Sequence, residues 1–128
     1  MTDGLGTGIL GHWILADADQ RVKYLWRLIA DEDVWSRRLA LVATVPLNRG
    51  EAGVAFPDLT LSLVEQVKAE RHPMITKAVS WALREMVRHH RKRVVAYLKA
   101  NRETLAALVV REVGNKLRTG LKSGKVKA

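Results

Sequence analysis

The chain has 128 residues, with 22 Lys+Arg, 13 Asp+Glu, 4 His and no Cys, and a formal net charge of +9. That length suits one domain, and a hydrophobic share of 48% excludes a globally disordered chain. The absence of cysteine excludes a disulfide scaffold, a thiol nucleophile and thiolate-ligated metal, and no apolar run approaches the roughly 18 residues that span a bilayer.

The N-terminus has no basic stretch followed by an apolar one, so no signal peptide is expected. With no cysteine to oxidise, the expected compartment is the cytoplasm. Apolar residues recur at three- and four-residue spacing and strand-like alternation is absent, which points to an all-α chain. The first expected helix, about 5–16, is weak, because Gly4, Gly6, Gly8 and Gly11 each disfavour it. The second, about 18–30, gathers Val22, Leu25, Trp26 and Ile29 on one face. Asp31, Glu32 and Asp33 then place negative charge at the start of a third, about 33–45. Pro46, Asn48 and Gly50 end it and open a loop at about 47–56.

Pro57 suits the first turn of a fourth helix, about 57–70, with Leu59, Leu63, Val64 and Val67 inward. His72-Pro73 separates it from a fifth, about 74–89, and a sixth spans about 91–100. Asn101 is a candidate cap for a seventh, about 102–118. Two domains of behaviour result: a helical domain over 1–118 and a basic tail over 119–128. The third and fifth helices share a pattern in which Arg38 and Lys77 lie 39 residues apart. That is near the roughly 40-residue period of HEAT-type helix pairs, so a HEAT-like α-solenoid of about seven helices is the preferred architecture, with a generic bundle as the alternative.

Charge divides the chain. Residues 1–67 carry a net charge of −3 and residues 68–128 a net charge of +12. So concentrated a positive field attracts polyanions, chiefly nucleic acid. Lys77, Trp81, Arg84 and Arg88 are spaced four, three and four apart and share one helical face. Ile75, Val79, Ala82, Leu83 and Met86 make a separate apolar stripe, complete without the indole. The cationic face suits either a nucleotide, with a stacking plane beside phosphate contacts, or a helix–helix seam whose Trp is covered by cationic side chains. Arg37 and Arg38 add charge two helices earlier, and Arg91-Lys92-Arg93 open the sixth helix.

Other motifs are weak. The glycines at 4, 6, 8 and 11 match neither the dinucleotide nor the P-loop spacing, and no strand precedes them. His12, His72, His89 and His90 form no i, i+4 pair with a carboxylate, so no metal site is expected. On residue type alone, Asp3 reads as an exposed or capping carboxylate.

Three stretches carry a resemblance: Asp3-Gly-Leu-Gly-Thr-Gly-Ile-Leu-Gly11, Val34-Trp-Ser-Arg-Arg38-Leu-Ala-Leu-Val42 and Lys77-Ala-Val-Ser-Trp-Ala-Leu-Arg-Glu85. Together they resemble the second half of the DNA alkylation repair family, HEAT-like-repeat DNA glycosylases that remove alkylated purines. The likeness runs over nearly all of residues 3–118. It implies duplex DNA with alkylated bases as partner, lying in a basic concave groove, and no cofactor or membrane. It implies Asp3 as the catalytic carboxylate that stabilises the cationic sugar, and Trp81 as the aromatic against the sugar and backbone. Arg38 is then the DNA-contacting arginine and Arg84 a further basic contact; charge and helical spacing, apart from the resemblance, add Arg37, Lys77 and Arg88 to the same expected interface. The family has further N-terminal repeats, and its other active-site Trp would fall before Met1. The edge so exposed would be covered by a second copy or a partner. A non-catalytic DNA-binding module or a protein-interaction solenoid are the alternative readings.

Overall fold

A computed structural model describes residues 18–45 and 57–121, and among them there are five helices and no strand. The first, α1, is Ala18–Ile29. Leu25 and Ile29 are buried on one stripe, with Val22 and Leu28 packed beside them. Trp26, expected on that stripe, is 40% exposed. At 100° per residue it falls to the rim of the arc, and Leu28 takes the inward place.

Helix α2 is Val34–Val42. Asp33 caps it: Oδ1 accepts from the Trp35 N–H at 3.4 Å and Oδ2 from the Ser36 hydroxyl at 3.2 Å. The helix ends three residues short of the expected Val45, and residues 43–45 continue as a buried turn. There Thr44 satisfies its hydroxyl on the Leu41 carbonyl at 2.7 Å. Helix α3 is Pro57–Val67, and its inward Leu63, Val64 and Val67 are buried as the spacing predicts.

Helix α4, Pro73–Ala100, is the central element and packs on α2, α3 and, most extensively, on Ala107–Thr119, which is α5. Pro73 stands at its first turn, and the His72 ring accepts from the Met74 N–H at 3.2 Å. The expected fifth and sixth helices are here one element. They meet at His90, whose φ of −134° and ψ of 39° interrupt the helical path. The sequence boundary at 89–91 is therefore a kink, with no intervening loop.

Asn101 has a different role from the expected one. Its Nδ2 donates to the Tyr97 carbonyl at 2.9 Å and its Oδ1 accepts from Lys68 Nζ at 2.7 Å, so it closes α4. With both side-chain groups engaged, it cannot cap the next helix. Residues 101–105 form a turn, and α5 begins five residues later than expected, after Ala106, which makes no side-chain cap bond. The end of α5 is ordinary: Gly120 adopts a φ of 81° and returns its N–H to the Lys116 carbonyl at 2.9 Å.

The core runs from Leu25 and Leu41 through Leu63, Ile75, Leu83 and Met86 to Val109 and Val113. Among the described residues, no helix is long and apolar enough to cross a membrane. The expected helix at 5–16, the loop at 47–56 and the last seven tail residues lie outside the described residues.

Candidate nucleic-acid interface

Helices α2, α4 and α5 border an open pocket of about 370 Å³. Its walls are Arg38, Lys77, Trp81, Arg84, Leu108 and Glu112. Four of the seven sequence-derived site residues thus meet in one place.

Arg38 leaves α2 toward the start of α4. Its Nη1 donates to the Met74 carbonyl at 2.6 Å, and the residue is 8% exposed. A buried guanidinium needs such acceptors. Lys77 is exposed on the first half of α4, one turn before Trp81. Trp81 is half-buried: it packs against the core and also lines the pocket. Its Nε1 donates to Glu85 Oε1 at 3.3 Å, one turn further along. The two readings of the aromatic are therefore compatible, since a seam residue can still present a face.

Arg84 is held by a relay. Its Nε donates to Ser80 Oγ at 3.1 Å, and that hydroxyl donates to Glu112 Oε1 at 2.7 Å. Ser80 is fully buried, so its hydroxyl relies on these two partners. Three cations face one carboxylate in this pocket, which favours an anion. Beside them is a π surface that favours a flat or sugar-like group.

Glu112 and Leu108 carry no site role in the sequence. They reach the pocket on consecutive turns of α5, four residues apart. The signal that could have found them is this i, i+4 pair in the helix following a cationic stripe.

Arg88 does not line this pocket. It is exposed one turn beyond Arg84 and borders a neighbouring cavity of about 470 Å³, with Arg84, Glu85, Arg91 and Lys116. The basic surface thus continues along α4 toward the kink, where Arg88 to Arg93 ring a shallow depression. Arg37 does not line the pocket either. Its Nε and Nη2 make a bidentate pair with Glu70 at 3.2 and 2.5 Å. Its Nη1 donates to the Asp31 and Glu32 carbonyls at 2.9 and 2.7 Å. The Glu70 carboxylate holds the Arg37 guanidinium above its ordinary pKa. Arg37 ties the turn before α2 to the segment after α3. Asp3 lies outside the described residues. Among the described residues, no cluster of three or more His, Asp or Glu could hold a metal ion.

The model of the family described as "DNA alkylation repair enzyme" matches residues 1–117. No curated protein matches the chain.

Proposed function

The chain belongs to the DNA alkylation repair enzyme family, and from that premise we propose that it binds alkylated duplex DNA and hydrolyses the N-glycosidic bond of alkylated purines. The observation that carries this reading is the convergence of Arg38, Lys77, Trp81 and Arg84 on one pocket. Lys77 and Arg84 reach backbone phosphates on either side of the lesion. Arg38, fixed by the Met74 carbonyl, contributes positive potential at the pocket wall. Trp81 lies against the sugar. Phosphate contacts of this kind set register along the duplex and carry no sequence information.

The chemistry follows from the substrate's charge. An N3- or N7-alkylated purine is already cationic, so it departs as a neutral base with the bonding pair of the C1′–N bond. The positive charge passes to the sugar, where a carboxylate stabilises it, and water adds to C1′ with loss of one proton. Asp3 is the carboxylate proposed for that task. The purine needs no general acid, and the pocket accordingly supplies cations and an aromatic face.

The test is base release from duplex DNA carrying 7-methylguanine or 3-methyladenine. The expected result is release by the parent chain, abolished in Asp3→Asn and cut at least tenfold in Trp81→Ala. Release unchanged in both variants would overturn the assignment. Binding without any release would favour the non-catalytic DNA-binding module. Binding should also fall steeply with salt, by close to one power of ten per tenfold salt for each phosphate neutralised.

A further inference from the structure

We infer that copies of this chain associate head to tail, the Asp31–Trp35 corner of one seated in an apolar groove between α4 and α5 of the next. The groove has a volume of about 530 Å³. Its floor is Val95, Leu98, Gly114 and Leu117, and its rim is Lys99, Arg102 and Arg118. By the helical period, Gly114 and Leu117 fall on the side of α5 away from Leu108 and Glu112, and the two cavities share no lining residue. The groove is therefore separate from the Trp81 pocket, and its occupation leaves that pocket open.

Two features make the groove a receptor. Val95 is 44% exposed although it is a large hydrophobe. Gly114 sits mid-helix, where glycine is the poorest helix former after proline. A Cβ built there meets nothing within 4 Å, so the chain's own packing does not require the glycine. It leaves room that the isolated chain does not use.

The matching surface is on the same chain. Trp35 is the most exposed large hydrophobe among the described residues, at 55%. It is the second residue of α2, separated only by Val34 from Asp31, Glu32 and Asp33. An indole beside three carboxylates complements an apolar floor beside three cations in kind and in sign. The side chains of Glu32, Lys99 and Arg102 make no hydrogen bond or ion pair within the described residues, so all three charges are uncommitted. The chain's own last seven residues are a poor occupant, since Lys122, Lys125 and Lys127 repel the rim. Because the two surfaces differ, the contact is heterologous and propagates rather than closing as a symmetric pair. A single Trp anchor ringed by exposed charges gives a contact of roughly micromolar strength, weakened by salt.

The experiment is sedimentation velocity on the full chain from about 1 µM to about 200 µM. The average mass is expected to rise with concentration and to fall back as salt is added. Trp35→Ala and Gly114→Leu should each remain monomeric where the parent is associated, with circular dichroism unchanged. Mixed one to one, they should give a dimer and nothing larger, because only one good contact survives per pair. Glu32→Lys and Arg102→Glu test the charges, since each alone should weaken association about tenfold and their mixture should restore it. A monomeric mass over the whole range would overturn the inference. Association that the variants leave intact would overturn it as well, as would variants that dissociate without recovery on mixing. None of these readouts involves DNA, so the contact and the proposed repair activity fail independently.

Discussion

Arg37 and Arg38 are neighbours on α2, and they end in different regions of the molecule. Arg37 turns to the junction of the α1–α2 turn with the segment after α3, where Glu70 and two carbonyls engage all three of its guanidinium nitrogens. Arg38 turns to α4, donates to the Met74 carbonyl and borders the pocket with Lys77, Trp81 and Arg84. The first region pairs one arginine with one carboxylate, and the second sets three cations against the single carboxylate of Glu112. The difference teaches that an arginine's role depends on the acceptors its surroundings supply. Where they match its donors, it is a strut. Where they leave excess positive charge around an open cavity, it belongs to an anion site.

The sharpest break of this comparison is a pair of substitutions. Arg38→Ala should weaken binding to an alkylated duplex about tenfold or more, measured by fluorescence anisotropy at fixed salt. Arg37→Ala should leave that affinity within about twofold and instead lower stability by about 1–2 kcal/mol in a urea melt. If Arg37→Ala lost affinity as Arg38→Ala does, the division would fail. The next effect concerns how the pocket keeps its shape. Ser80→Ala removes the buried hydroxyl between Arg84 and Glu112 and should cost about 1–3 kcal/mol. It should also weaken duplex binding, which a purely packing role would not.

A smaller effect lies at the end of α4. Asn101→Ala should cost about 1 kcal/mol, since it unmakes the bonds to Tyr97 and Lys68. The smallest is a pH effect at Glu65. Hydrogen bonding from Lys68, opposed by desolvation and aided by the Tyr97 hydroxyl, holds the Glu65 carboxyl below its ordinary value of 4.5. The folded state therefore favours the ionised form. Its contribution is present above the ordinary value and is lost as pH falls through the lower, folded one. Glu65→Gln should flatten the stability curve below about pH 4.5 and leave it unchanged at neutral pH. Tyr97 has the opposite sign: burial and then the Glu65 hydrogen bond push its hydroxyl up, so its neutral form persists in the folded chain.

Much of the candidate site could be read from residue spacing. Lys77, Trp81 and Arg84 share a face because the helical period is a local property, and α4 obeys it. The inward set on α3 and the acidic start of α2 follow for the same reason. Legibility stops where the answer depends on a distant partner. Nothing in the run Val34–Val42 separates Arg37 from Arg38, because Glu70 and the Met74 carbonyl arrive from 33 and 36 residues away. Glu112 enters the pocket through a bond to Ser80, 32 residues earlier, and locally only its i, i+4 spacing with Leu108 marked it. Asn101 looked like the start of a helix because caps favour asparagine at either end. Lys68, 33 residues earlier, decided which end.

Composition and periodicity alone were enough to establish the all-helical class, the inward faces apart from Trp26, and the cationic stripe, because propensity and amphipathicity act within a few turns. The concentration of positive charge in the second half was equally plain. The tertiary structure decided which cations converge, which are neutralised, and where helices end or bend. Those outcomes depend on groups brought together by packing, and burial makes a satisfied donor and an unsatisfied one differ by more than any local preference.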